Sequence, residues 1–503
     1  MNLLMGIDAG TTSLKAGAFE PDGRCLGVTR EEYLLSTPAP DRAELESEIY
    51  WQACVRAVRA LLKDIVPGEV SAMAVSSQGE TTIAVDPRGH SIGPALVWLD
   101  NRATREAEDL ASILGPVTYE VTGIPEVTPT WTACKLLWLR RHQPELFKHA
   151  SKFLLVQDFL IHRLTGEFVT EGAVACTSLL YDIVRHAWWT EALDAVGIEM
   201  ERLPTIASPG SVGGRLTGPA ADSLGLSAGI PIVMGGMDQA AGAVGVGNIL
   251  PGMVSETTGG ALAVQVTIPN PNIDESQRVP VCVHSAPGCY LFEPVSPTGG
   301  MSLKWFRDTF CECEQDEARR SGKDVYELLT EQAAGVAPGS DGLVMLPHLS
   351  GAFSPDYNPE ARGSFTGFAL GHRKQHFIRA ILEAVAFTLR RNLELVEQAG
   401  VQVREVRSSG GGARSALWNQ IKADVCGVPV VTLANEEAAV LGDAILAGVA
   451  VGEFASLEEG CARMVALSGR VQPGPEQAAH VAAYHRFCAL NRTLEPFFRG
   501  RPA

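Results

Sequence analysis

The sequence predicts an α/β protein of two domains, and three observations carry that expectation. The chain has 503 residues, more than one ordinary hydrophobic core supports, since single cores stop growing near about 250–300 residues. Apolar strand-like runs alternate with stretches of helical spacing. A Thr/Gly-rich turn closes a strand near the start, Asp8-Ala9-Gly10-Thr11-Thr12-Ser13, and a second one, Glu256-Thr257-Thr258-Gly259-Gly260, repeats it near mid-chain. The boundary falls between them, giving domains 1–248 and 249–503.

The elements follow in order. Residues 3–7 are a short apolar run and residues 14–19 resume it after the turn, which reads as a hairpin opening a sheet. Residues 48–62 carry apolar side chains at helical spacing, and 70–75 and 82–85 read as strands. Helical patterns dominate from 103 to about 194. Residues 207–219 read as a connecting loop. The run 230–234 is a strand that enters Gly235-Gly236-Met237-Asp238 and then a small-residue segment, 239–247. Near the C-terminus, 405–409 reads as a strand, Gly410-Gly411-Gly412 as a loop, 415–426 as a helix, 428–433 as a strand and 437–450 as a helix.

Composition narrows the function classes. Hydrophobic residues at 46% and charged residues at 20% are the balance of a soluble globular protein. The 41 basic against 58 acidic residues give a net charge of -17, and no basic face forms for a nucleic acid. An acidic surface still admits ATP, because backbone N–H groups and one or two Lys can hold phosphates. Partners are therefore expected to be small molecules. The eleven Cys are scattered; only Cys311 and Cys313 lie close, at a spacing that is not a usual zinc pattern. They read as reduced thiols of a cytoplasmic protein. Asp8 comes too early for a secretory signal, and the apolar stretches are interrupted before they reach bilayer length.

Several short motifs carry possible chemistry. In the first turn, Gly10 lets backbone approach an anion, Thr11, Thr12 and Ser13 add donors, and Lys15 supplies charge. Asp8 cannot favourably touch a phosphate but can hold magnesium, usually through water. The bland reading is a hairpin tip rich in turn formers. Asp238 sits where a strand ends and a helix begins: it either caps that helix or, at a strand end where α/β ligands bind, accepts the proton of an attacking hydroxyl. Phosphoryl transfer needs little more than such a base, a metal and good positioning. Gln78-Gly79-Glu80 and Trp98-Leu99-Asp100-Asn101-Arg102 put polar groups at strand ends, where they either meet hydroxyls or serve as ordinary loop residues. Gly410-Gly411-Gly412 either admits a flat ligand or makes a tight turn.

Taken together, these residues resemble the FGGY family of carbohydrate kinases, and most of all its xylulokinase branch. The resemblance runs from Ile7 to about Gly452. One family signature matches Thr132-Ala133-Cys134-Lys135-Leu136-Leu137-Trp138-Leu139, with Thr130 replacing its usual first residue. The second matches Gly363-Ser364-Phe365-Thr366-Gly367-Phe368, then His376-Phe377 and Ala380-Ile381-Leu382-Glu383. The resemblance implies two actin-like, ribonuclease-H-like domains with ATP and sugar meeting in the cleft between them, and a family that is often dimeric. It implies that Asp238 is the catalytic base and that Asp8 reaches Mg2+. Thr11, Thr12, Ser13 and Lys15 then surround the transferred phosphate, and Thr258 and Gly259 form a second phosphate turn. Gly300, Lys304, Gly411, Gly412 and Ser415 contact the nucleotide, while Gln78, Glu80, Asp100, Asp238 and Gln239 contact the sugar.

Two departures stand out. Thr257 replaces a Gly of the second turn. Gly79-Glu80 replaces the Met-His of xylulokinases, whereas glycerol kinases carry Arg-Glu there. The expected acceptor is a pentulose such as xylulose. Gluconate, a tetritol, glycerol or a linear signalling sugar are the alternatives, with loss of the Arg counting against glycerol and Gly79 leaving room for a longer chain. From another class, the alternative is an actin- or Hsp70-like ATPase switch with a protein partner.

Overall fold

The computed structural model describes residues 2–271, 274–435 and 437–499. Two mixed sheets organise it. The first is built from β1 (Leu3–Ala9), β2 (Ser13–Phe19), β3 (Cys25–Glu32), β4 (Val70–Ser77), β5 (Val212–Arg215) and β6 (Pro231–Met237), in the order β5-β6-β4-β1-β2-β3. β1, β4 and β6 run parallel, while β1-β2-β3 is an antiparallel meander. The strands buried on both faces read as unbroken apolar runs, as parallel sheet requires. The expected loop at 207–219 contains β5, which pairs antiparallel with β6; its sequence, Val-Gly-Gly-Arg, is too short and glycine-rich to show a strand period.

The second sheet repeats the pattern. It comprises β7 (Met253–Thr258), β8 (Leu262–Ile268), β9 (Val281–Val283), β10 (Tyr290–Phe292), β11 (Val295–Ser296), β12 (Glu405–Ser409), β13 (Val430–Leu433) and β14 (Leu467–Val471). Its order is β9-β10-β8-β7-β12-β13-β14, with β11 beside β8. As in the first sheet, a hairpin is followed by parallel strands, β7 beside β12 beside β13. This doubled topology is the actin-like, ribonuclease-H-like architecture. The region 103–194, read as helical, also carries short strands such as Lys152–Leu154 and Val169–Glu171.

The helices used below are α1 (Glu48–Leu61), α2 (Asp238–Gly245), α3 (Lys374–Gln398), α4 (Ala416–Cys426) and α5 (Ala438–Ala450). The two halves interlock through α2 and α5. A Cβ on Gly245 would overlap the Ala438 carbonyl, and one on Gly442 would overlap the Ala241 carbonyl. The helices thus cross backbone against backbone, which only Gly allows. Although α5 lies late in the chain, its Val440, Leu441 and Ala444 pack with Leu4, Phe19, Ala72 and Val233 against the first sheet. In return, Tyr119 and Ile183 of the first half join the core of the second, where the Tyr119 hydroxyl donates to the Val279 carbonyl at 2.8 Å. No described helix is long and apolar enough to cross a membrane.

Candidate active site

Parallel strands β1, β4 and β6 end together. Ala9 is paired with Ser77, and Ser77 with Met237. Their carboxyl ends therefore deliver Asp8, Gln78-Gly79-Glu80 and Asp238 to one edge, the side on which α/β sheets bind ligands. Asp238 is the first residue of α2, where the helix dipole favours a negative charge. Asp8 is buried, and its Oδ1 has no hydrogen-bond partner.

Glu80 is held in an unusual backbone conformation, φ +52°, which costs a non-glycine residue on the order of 1–3 kcal/mol. Its surroundings impose it. The Glu80 N–H donates to the Thr177 hydroxyl at 3.0 Å, and its carbonyl accepts from the Thr132 hydroxyl at 3.0 Å and the Lys135 ammonium at 3.1 Å. So the signature helix residues Thr132 and Lys135 serve to aim Glu80.

The carboxyls repel one another. Burial pushes Asp8 up to about 6, opposed by Lys15 and helped by Glu437. Burial likewise pushes Glu80 up to about 7, with Lys135 opposing and Glu293 adding. Asp238 lies well above the usual carboxylate range through burial and then the charges of Asp8, Glu80 and Glu293, against the Gln239 N–H. A carboxyl with a raised proton affinity beside a cleft is what a general base needs.

A cavity of ≈ 750 Å3 lies in the second half. Thr258, Gly259, Gly300, Lys304, Gly411, Gly412 and Ser415 all line it, as do Tyr326 and Leu417. In the first turn, the Thr11 hydroxyl accepts from the Trp98 indole at 2.8 Å and the Ser13 hydroxyl from Arg30 at 3.1 Å. Thr12 is exposed at the tip. Lys15 is held by Glu437 at 2.5 Å, a contact between the two halves of the chain.

Three expectations need correction, those for Asp100, Gly79 and Thr258. Asp100 does not reach the cleft: it is 0% exposed, and its oxygens accept from Arg102 at 2.7 and 2.8 Å and from the Ala43 N–H at 2.8 Å. Gln78 is buried, its amide nitrogen donating to the Tyr50 hydroxyl at 2.8 Å while its Oε1 has no partner. Gly79 does not make room for substrate, because a Cβ there would meet the Thr177 side chain at 2.7 Å. The Thr258 hydroxyl points inward, donating to Glu256 at 2.7 Å and accepting from Lys422 at 3.0 Å. Hence Thr258 shapes the floor, and exposed Thr257, bonded to Ser409 at 2.8 Å, stands at the surface of the turn. Arg102 binds Asp100 and Glu44 rather than Glu80.

Comparison with known proteins identifies the family. Residues 3–245 match the N-terminal domain, and residues 257–451 the C-terminal domain, of the FGGY family of carbohydrate kinases. The chain belongs to that family. It is 31% identical over 457 residues to a gluconokinase of Bacillus subtilis, covering 90% of this chain and 89% of that protein. It is 32% identical over 490 residues to an autoinducer-2 kinase of Yersinia pestis, covering 95% and 91%. Among solved structures, a xylulose kinase from Rhodospirillum rubrum superposes with a TM-score of 0.90 at 28% identity, covering 99% of each chain. This carbohydrate kinase is matched across both halves, which sets aside the ATPase-switch alternative.

Several residues beside the candidate site carry no clear signal in the sequence. Gln265 on β8 donates to the Gln239 side chain at 2.8 Å and to Glu293 at 3.4 Å, so Glu293 joins the acceptor edge from the second half. Asp443 on α5 is 0% exposed; Ser76 donates to its Oδ2 at 2.7 Å, and its Oδ1 has no partner. Burial, with Asp8 and Asp238 adding, holds it well above the usual range. A lone acid within the apolar run 438–447 was the available signal for Asp443. For Glu293 it was a carboxylate directly after the apolar strand β10.

Proposed function

We propose that the protein transfers the γ-phosphoryl group of ATP to a hydroxyl of a small sugar, with a pentulose such as xylulose as the first candidate. The reading is supported by Asp238 at the first turn of α2, near enough to Asp8 and Glu80 to feel their charges, together with a cavity in the second half that every nucleotide residue expected there lines. Asp238 takes the proton of the attacking hydroxyl as its oxygen bonds to the γ-phosphorus, and ADP leaves with the electrons of the broken P–O bond. Glu80 and Gln239 hold neighbouring hydroxyls. Residues 1–248 supply the base and most of the acceptor contacts, and residues 249–503 the nucleotide contacts.

Mg2+ fits at Asp8, whose buried Oδ1 is without a partner and offers the hard oxygen that this cation takes, usually with waters. When bound, Mg2+ neutralises charge on the phosphates. Gly411 and Gly412 let a flat base lie against backbone, and Lys304 adds charge at the rim. The Rhodospirillum rubrum xylulose kinase favours the pentulose reading; the gluconokinases and autoinducer-2 kinases favour an aldonate or a linear sugar instead. Coupled ADP release, screened with Mg·ATP over pentuloses, hexuloses, polyols and aldonates, tests the proposal. One carbohydrate should stimulate turnover strongly; protein partners should not.

A further inference from the structure

The acceptor edge is an acidic enclosure closed from both halves of the molecule. Asp238 and Glu80 come from the first sheet's strand ends, and Glu293 comes from the end of β10 in the second. Glu293 is half-buried and is tied in place: one Gln265 amide nitrogen donates to Glu293 at 3.4 Å and to the side chain of Gln239 at 2.8 Å. Gln265 is itself anchored, its carbonyl accepting from the Ser255 hydroxyl at 2.9 Å, and that hydroxyl in turn accepting from Asn248 at 3.0 Å. A carboxylate thus stands one hydrogen-bonded residue from the side chain that follows the base.

The nearby cations offset this charge only from behind or not at all, and none presents a free donor to the acceptor. Lys135, beneath Glu80, is 0% exposed and spends its ammonium on the carbonyls of Thr130 at 2.6 Å and Glu80 at 3.1 Å. Lys15 is bound to Glu437, and Arg102 to Asp100 and Glu44. Carboxylate oxygens accept hydrogen bonds from hydroxyls very well, and meet another carboxylate only with repulsion or with uptake of a proton.

We propose that Glu293, acting with Glu80, selects an uncharged polyhydroxylated acceptor and rejects aldonates, so that the charge of the substrate, more than its length, decides specificity. This rests on the sugar-kinase reading given above. It separates the chain from the activity that the name of its Bacillus subtilis relative denotes, and it assigns a specificity role to a residue of the second half. Gln265 is a positioning residue for it.

The test is kcat/KM for full-length protein with Mg·ATP, measured on uncharged acceptors (xylulose, ribulose, erythritol) and on the anionic acceptor gluconate. The best neutral acceptor should exceed gluconate by at least about tenfold, since like charges brought together at a binding surface cost several kcal/mol. Glu293→Gln preserves shape and should narrow that ratio about tenfold or more by improving the relative use of gluconate, with KM for ATP unchanged. Gln265→Ala, which leaves the Glu293 charge in place and releases both Glu293 and Gln239, should narrow it less. A wild-type preference for gluconate over every neutral acceptor, or a Glu293→Gln variant with an unaltered ratio, overturns the inference while leaving the kinase reading intact. If no carbohydrate of either charge stimulates ADP release, both fail.

Discussion

The ammonium of Lys422 lies 2.5 Å from the carboxylate of Glu256, and both side chains are 0% exposed. Lys422, on α4, also donates to the Thr258 hydroxyl at 3.0 Å and to Ser408 at 3.2 Å. Glu256 accepts from both of those hydroxyls as well. The ion pair therefore sits directly behind the second Thr/Gly turn and fixes the inward rotamer of Thr258.

Removing one partner leaves the other charge buried. Lys422→Met should cost about 3–5 kcal/mol in stability, because an uncompensated buried carboxylate is far more costly than an absent pair. Changing both, Lys422→Met with Glu256→Gln, should recover most of that loss. Denaturant unfolding of the two variants checks this; equal destabilisation would show that the pair is not coupled. Weakened ATP binding in Lys422→Met, through loosening of the turn, should accompany the loss.

Asp238→Asn keeps the size of the side chain and removes the proton acceptor. Turnover should fall by about two to four orders of magnitude, with ATP affinity, measured by calorimetry, nearly unchanged. A variant that keeps more than a tenth of wild-type turnover would remove Asp238 from the role of base.

Glu80→Gln should raise KM for the acceptor about ten- to a hundredfold, the worth of charge-assisted hydrogen bonds of roughly 1.5–3 kcal/mol. It should also move the acid limb of the pH–rate profile. Asp238 must be ionised to act, so the rate rises with pH through its elevated titration, to which Glu80 contributes. Loss of that charge lowers the titration, and the limb should shift to lower pH. An unchanged limb would place Glu80 electrically apart from the base.

Glu171 accepts the N–H groups of Ala173 and Val174 at 2.7 Å each, and burial pushes it from 4.5 up to about 7. Its folded form holds the proton more tightly than its unfolded form. That contribution to stability is complete below pH 4.5 and is lost as pH rises toward 7. Relative to wild type, Glu171→Gln should gain stability between pH 5 and pH 8, by about 3 kcal/mol at most. Unfolding curves at the two pH values read this, and a difference independent of pH would contradict it.

The strands β1, β2 and β4 and helices α1 and α5 were legible because each is a local apolar period, and the Thr/Gly turns were legible as repeated motifs. Asp8, Asp238 and Glu80 were legible because they follow strand ends, where backbone direction alone delivers them to the ligand edge. β5 was not: four residues with two glycines become a strand only through pairing with β6.

The sequence by itself determined the doubled α/β plan and which residue types stand at strand ends, since both follow from periodicity and turn chemistry within a few residues. Which of those side chains face the cleft was decided only by the tertiary structure. Asp100 and Glu80 look alike in sequence, yet Arg102 and the Ala43 N–H consume one, while Thr177, Thr132 and Lys135 aim the other. Glu293, Lys422 and Asp443 reach the site from other parts of the chain, across sheet pairings and the crossing of α2 with α5. The reason is physical: a carboxylate's role depends on which donors, charges and surfaces surround it in space, and those neighbours stand from two residues away, as Arg102 does from Asp100, to 367, as Ser76 does from Asp443.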